Sequence, residues 1–406
     1  MPSTVESLFW ITLCAVLAPL LAGSVLRRKV PEVVLLLVLG VVIGPNVLDL
    51  AVNTDGVNVL RQLGLGMLFL LAGYEIEIPE LVGRGGRRAL ATWVASFALA
   101  AGVMALLGAG GAIHAELAVA IALTSTALGT LLPILKDSGM LGTTFGDTLM
   151  KHGAYGELGP IVAISVLLGS RGPIASLLVL AGFALLAVLV HVFSSRLSRE
   201  GSKVLDTIRL GAETSGQTQV RLVVLLLVTL GASAAAFDLD SVLGAFAAGI
   251  ILRRLLPEGH QGLEVKLTGL AFGLLIPVFF ITSGMAIDPA AVAEEPGALV
   301  LFVLLIVVVR GGSVYVATRT TREDGRAVFD GRESVAMALF GSTGLPIIVA
   351  VTSVAVAAGQ MTDTNASVLV AGGAITVLVC PLLAQTLLAR ERGATGDDPD
   401  VERVRG

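Results

Sequence analysis

Residues Ala122–Ile134 read ALTSTALGTLLPI, and residues Ala338–Ala350 read ALFGSTGLPIIVA. Each sets hydroxyls beside glycine and proline inside an otherwise apolar segment. Glycine loosens a helix and proline removes a backbone donor. Hydroxyls in such a place either back-bond to their own helix or face a site. Non-helical backbone at membrane depth is tolerated only inside protein or against a water-filled cavity. Two interruptions at matching places therefore predict two broken helices, unwound around Gly129 in the first and around Gly341, Gly344 and Pro346 in the second.

Working outward, thirteen apolar segments cover most of the chain. They lie at about 8–26, 31–48, 59–78, 89–111, 115–135, 147–168, 173–195, 220–237, 241–256, 267–287, 297–318, 333–356 and 364–388. A membrane helix needs roughly 20 apolar residues, and none of these segments alternates as a membrane strand would. The fold class expected is an all-α polytopic membrane protein with thirteen transmembrane helices.

The 406 residues are 55% hydrophobic and 14% charged, with a mean hydropathy of +0.90. A soluble domain carries about 25% charge. A soluble enzyme, a disordered chain and a nucleic-acid binder are thereby excluded. Cys14 and Cys380 both lie in apolar runs, which argues against a disulfide framework. No HExxH and no nucleophile–base pair is visible, so neither an enzyme nor a cofactor is expected. The first segment has Glu6 before it and Arg27, Arg28 and Lys29 after it, the reverse of a cleaved signal, so it is kept as a mature helix.

Of the 27 basic residues, 24 fall in loops after odd-numbered helices or in the C-terminal tail. Arg61 and Arg171 are assigned to loops on the other side, and Arg310 to none. The positive-inside rule then puts the N-terminus outside and the C-terminus in the cytoplasm. Residues 196–219 form the longest polar stretch, expected to hold a short surface helix. The tail from about Glu391 is expected to be disordered.

Self-similarity extends beyond this hydroxyl-rich pair. Phe69–Pro79 reads FLLAGYEIEIP and Phe280–Pro289 reads FITSGMAIDP. Both pairs lie seven helices apart, and an odd offset inverts the second copy. Inverted repeats with a midplane site on interrupted helices are a secondary-transporter architecture.

Ionisable groups inside membrane helices are functional candidates. Glu157 is central in helix 6 and Arg310 in helix 11, each flanked by glycines. Pro160 cannot donate to the Gly156 carbonyl, which leaves one acceptor free beside the carboxylate. Thr124, Ser125 and Thr126 in one broken helix, with Ser342 and Thr343 in the other, are the candidate oxygen ligands for a hard cation. Lys151 and His152, one to two turns before Glu157, are a possible proton path.

The segments FLLAGYEIEIPEL, ALTSTALGTLLPILKDSG and PVFFITSGMAIDP carry a resemblance to the monovalent cation:proton antiporter superfamily, in its Kef-type and NapA-type branch. The resemblance spans residues 8–388. It implies a membrane transporter domain over 1–388, with helices 1–3 and 8–10 as the dimerising interface domain, helices 4–6 and 11–13 as an ion-transport core, helix 7 as linker, and 389–406 as a cytoplasmic tail. The core would move like an elevator. Glu157 falls where the family places its ion-binding aspartate, and Arg310 where many members have a lysine paired with it. The chain departs from the pattern at both positions, and again at Gly156, where relatives often carry a polar side chain. No Kef-type nucleotide-binding regulatory domain is expected.

A carboxylate that holds either a proton or a monovalent cation gives exchange. Arg310 is expected as its counter-charge when the site is empty. Arginine effectively never deprotonates, so one proton per Na+ or K+, and electroneutral transport, is expected. The setting would be a bacterial plasma membrane and the assembly a homodimer. The alternative is a cation- or proton-coupled transporter or efflux carrier of a small organic solute. A cavity larger than a hydrated ion beside Glu157 would favour it. A channel or a non-transporting receptor is a further alternative, without a visible selectivity-filter sequence.

Overall fold

The computed structural model describes residues 2–25, 30–76, 81, 83–109, 115–129, 131, 135, 138–168, 178–182, 185, 188–189, 217–237, 239–255, 261–323 and 326–394. Among the described residues the regular structure is helical, apart from a small antiparallel hairpin of Arg322–Glu323 and Arg326–Ala327. The seventh predicted helix falls largely outside the described residues, and so do most of the 196–219 stretch and residues 395–406.

The first helix, α1 (Thr4–Leu20), opens with a reciprocal cap in which Ser3 Oγ accepts from the Glu6 N–H and Glu6 Oε2 from the Ser3 N–H. It runs into a π-helical turn, Leu21–Val25. The next helix, α2, spans only Glu32–Ile43, against the 31–48 expected. Gly44 turns extended because Pro45 disfavours helical geometry in the residue before it. There follow α3 (Asp55–Glu75), α4 (Arg84–Ala109), α5 (Glu116–Leu123), α6 (Thr144–Ala163), α7 (Thr218–Ala236) and α8 (Ser241–Leu255). Then come α9 (Gln261–Leu270), α10 (Ile276–Met285), α11 (Pro289–Glu294), α12 (Pro296–Leu305) and α13 (Gly312–Arg319). The last are α14 (Gly331–Gly341), α15 (Leu345–Ala357) and α16 (Asp363–Ala394). The tail expected to be disordered from Glu391 is thus helical as far as Ala394.

Among the described residues, eight helices are long and apolar enough to cross a membrane. Phe9, Val16 and Leu20 on α1, and Leu225 and Val228 on α7, are exposed. A water-soluble monomer rarely presents such belts; in a bilayer they meet lipid.

Two helix pairs make backbone-to-backbone contacts. On α3 and α8, a Cβ at Gly73 would lie 2.2 Å from the Phe246 carbonyl oxygen, and one at Gly249 2.0 Å from that of Leu70. On α2 and α10, a Cβ at Gly40 would lie 2.1 Å from the Ile281 oxygen, and one at Gly284 2.2 Å from that of Leu37. Only glycine fits at such a crossing, and small residues are the usual means of close helix approach in lipid. In all four cases the carbonyl met lies three residues before the partner glycine. Gly73 and Gly284 also hold equivalent places in the two repeated segments.

Both hydroxyl-rich segments are broken. Helix α5 stops at Leu123, and Thr124–Ala127 are non-helical before helical geometry resumes at Leu128, so the break expected around Gly129 lies instead at the hydroxyl run before it. Helices α14 and α15 are separated by Ser342–Gly344, with Pro346 in the first turn of α15. The breaks meet: the Ala127 N–H donates to the Thr343 carbonyl at 2.7 Å, and Thr126 Oγ1 donates to the Gly341 carbonyl. Each break supplies part of the other's missing backbone hydrogen bonding.

Candidate functional site

Glu157 is buried in the middle of α6. Its Oε2 accepts from the Leu128 N–H at 3.3 Å, where the first broken helix resumes. An N–H at such a start is unpaired within its own helix and carries positive dipole character. Around the carboxylate is a cavity of about 30 Å³, lined among others by Ala127, Gly129, Phe280, Pro346 and Glu75. That volume holds about one water molecule.

The carbonyl that Pro160 leaves without a helical donor does not stay free. Gly156 O accepts from the Thr126 N–H at 2.9 Å. A proline in α6 therefore docks the unwound stretch of its neighbour one turn from the carboxylate.

Arg310 sits in a π-helical turn, Ile306–Gly311, between α12 and α13, and is fully buried. Its Nε donates to Thr126 Oγ1 at 2.9 Å and its Nη2 to the His152 carbonyl at 2.6 Å, while Nη1 has no hydrogen-bond partner. It makes no hydrogen bond to Glu157, so the expected direct pairing is corrected. The reason is Gly156. A Cβ there would lie 2.5 Å from Arg310 Nη2 and 2.6 Å from Thr126 Cβ. With no side chain at 156, the guanidinium lies across the α6 backbone and reaches the carbonyl of His152. Two departures from the family pattern are thus one packing arrangement: the long cation occupies the room of the missing side chain.

The candidate hydroxyls behave differently from the expectation. Thr124 donates to Ile121 O, Ser125 to Ala122 O, Ser342 to Ala338 O and Thr343 to Phe340 O. These four satisfy their own helices, and none of them lines the Glu157 cavity. Ser125 also reaches across to the Gly344 carbonyl at 3.4 Å, and Thr126 bridges three elements, accepting from Arg310 and donating to Gly341. His152 is buried with Nδ1 unpartnered, and its backbone carbonyl, not its ring, engages Arg310. Lys151 lies within α6, beside Gly85 of α4.

The sequence reading missed two residues. Glu75, at the end of α3, lines the same cavity as Glu157, and its Oε2 is buried without a hydrogen-bond partner. The signal was present in FLLAGYEIEIPEL, but an acid at a helix end passes for an interfacial residue. Arg61, assigned to a loop, lies within α3 and donates to Ser353 Oγ at 2.8 Å.

Compared with known proteins, residues 12–390 match the family model described as sodium/hydrogen exchanger, transmembrane. The chain belongs to the sodium/hydrogen exchanger family. Among its relatives is the putative Na(+)/H(+) antiporter YjbQ of Bacillus subtilis, 25% identical over 319 residues, covering 75% of this chain and 51% of YjbQ. Another is the probable Na(+)/H(+) antiporter GerT of Bacillus cereus, 23% identical over 302 residues, covering 71% of this chain and 76% of GerT. The chain thus spans about half the length of YjbQ and three quarters of GerT. Its fold is that of the sodium proton antiporter MjNhaP1 from Methanocaldococcus jannaschii, with a TM-score of 0.64 at 17% identity over 95% of this chain and 99% of that one. The chain is an integral multi-pass membrane protein.

Proposed function

We propose that this exchanger swaps protons for a monovalent cation, Na+ or K+, with Glu157 as the carrier group. The observation that carries the proposal is the cavity of about 30 Å³ that Glu157 shares with Glu75. Two carboxylates in a largely apolar enclosure cannot both stay ionised without a proton or a cation beside them. The space suits a dehydrated alkali ion. It is far below the roughly 300–1,000 Å³ of a small-molecule pocket, which counts against the organic-solute alternative.

Glu157 rides on α6 with the crossed breaks and Arg310. Glu75 belongs to α3, which is fixed to α8 by the Gly73–Gly249 contact. If α4–α6 and α12–α16 move as an elevator core against α1–α3 and α7–α10, Glu157 is the carboxylate of the pair that crosses, Glu75 stays behind, and the fixed charge of Arg310 crosses equally with proton and with cation. One proton then exchanges for one cation, and transport is electroneutral. Arg310 acts as a positioning residue that ties α5, α6 and α12–α13 into one moving body. Dimerisation through the fixed body, an N-out and C-in orientation, and thirteen helices in inverted repeats complete the proposal. The matched glycine contacts of α2–α10 and α3–α8 support the repeats.

The test is reconstitution in liposomes containing a pH-sensitive dye. Addition of Na+ or K+ should dissipate an imposed proton gradient without changing the signal of a potential-sensitive dye. Glu157→Gln should abolish the exchange; wild-type exchange in that variant would remove the assignment.

A further inference from the structure

Above the Glu157 cavity, on the side assigned as external, lies a second and larger one. It has a volume of about 280 Å³ and is lined by Arg61 of α3, Ser283 and Ile287 from the α10 end, and Val349, Thr352 and Ser353 of α15. The two cavities share one seam. Pro346 lines the inner and Val349 the outer, one turn apart on α15, and Phe280 and Ser283 are likewise one turn apart on α10. Phe280 and Val349 are buried. A plug about one helical turn thick, near 5 Å, therefore separates Glu157 from the outer vestibule.

On the outer side of this plug, one turn beyond Val349, Arg61 is the polar tie between α3 and α15. Its Nη2 donates to Ser353 Oγ at 2.8 Å, and its Nε is buried without a hydrogen-bond partner. A guanidinium held by one hydroxyl, with a second donor unsatisfied, is poorly compensated for its burial. A packing arginine would be expected to find more acceptors. A tie that must open and close needs to be specific and weak. The helices it joins are anchored separately, α3 on α8 through glycine contacts, and α15 behind the break that holds Thr126 and Ala127.

We infer that the Arg61–Ser353 hydrogen bond is the latch of an outer gate, closed here, which must break before Glu157 can face the external vestibule. The inference rests on the alternating-access reading above. Arg61 then sets how often the carrier is offered to the outside, independently of how it binds its ion.

The test is a labelling rate, which needs no transport. Cys14 and Cys380, both buried, are replaced by alanine, and a reporter is placed by Gly129→Cys in the Glu157 cavity, where a Cβ meets nothing within 4 Å. An impermeant thiol reagent is applied from the external side of oriented vesicles. Losing a hydrogen bond to a charged group should raise the external labelling rate roughly tenfold to a hundredfold in Ser353→Ala and in Arg61→Met. Ser353→Thr, which keeps the hydroxyl, should label at the parent rate. Internal labelling should stay within about twofold of the parent. External rates within twofold of the parent in both Ser353→Ala and Arg61→Met would overturn the latch. So would equal rises from both sides, which mean general loosening. If Arg61→Met does not fold, Ser353→Ala and Ser353→Thr decide the matter alone. Labelling as expected in the Gly129→Cys series, together with no cation exchange by the unsubstituted protein, would sink the proposed function and leave the latch standing.

Discussion

Gly156→Ala is the smallest perturbation that tests how Arg310 is held. In a helix interior this change ordinarily stabilises by about 1 kcal/mol. Here the new methyl would lie 2.5 Å from Arg310 Nη2 and 2.6 Å from Thr126 Cβ, where ordinary contact starts at 3.4 Å. The guanidinium must retreat by about 1 Å, which stretches its 2.6 Å bond to the His152 carbonyl to about 3.6 Å, beyond hydrogen-bond range. A hydrogen bond to a charged group contributes about 1.5–3 kcal/mol, and overpacking against Thr126 costs about 1–3 kcal/mol. Net of helix propensity, Gly156→Ala should destabilise by about 2–5 kcal/mol. In an Arg310→Lys background Nη2 is gone and only the Thr126 contact remains. The same substitution should then cost about 2 kcal/mol or less, a coupling of at least about 1 kcal/mol. Equilibrium unfolding in mixed detergent–SDS micelles measures all four corners of the cycle. Additivity within about 0.5 kcal/mol would refute the idea that the guanidinium fills the space of an absent side chain.

Glu75→Gln should retain electroneutral exchange while raising the cation KM by roughly tenfold, because the fixed body loses one of two charges attracting the ion. Sided uptake measures this, and a loss as complete as in Glu157→Gln would make Glu75 the carrier instead. Pro160→Ala restores an N–H that competes with that of Thr126 for Gly156 O. Exchange should slow by about tenfold with little loss of stability, since an α6 hydrogen bond offsets the lost docking contact. An unchanged turnover would show that this docking has no part in transport.

That two helices break was legible because hydroxyls offer the backbone other partners, glycine loosens a helix and proline lacks a donor, but the first break falls at Thr124–Ala127 and not around Gly129. Glu157 and Arg310 were legible because a charge deep in apolar sequence is too costly to persist without a role. The spare carbonyl of Gly156 follows from the chemistry of Pro160 alone, although its taker, Thr126, lies 30 positions earlier and is chosen by tertiary packing. Partnerships were the part that local sequence could not specify. Arg310 bends away from Glu157 because a glycine on another helix leaves room. Thr124, Ser125, Ser342 and Thr343 found acceptors within their own turns before any ion site. Glu75 and Arg61 sit where an apolar run meets polar sequence, and there depth in the membrane is not encoded by composition. The short α2 was signalled by Pro45, but the apolar residues beyond it disguised the stop.

The glycine contact of α2 with α10 also bears on biogenesis. The amide of Asn46, just past α2, bonds the carbonyl of Ile287, 241 positions later in the chain. At a synthesis rate of about 5–20 residues per second, the first of these helices waits roughly ten seconds to a minute for its mate to emerge. Throughout that interval a glycine-notched surface made for another backbone has only lipid or an insertase to lie against. The nascent chain is thus expected to be most vulnerable to quality-control proteolysis after its N-terminal helices are in the bilayer and before α10 is threaded.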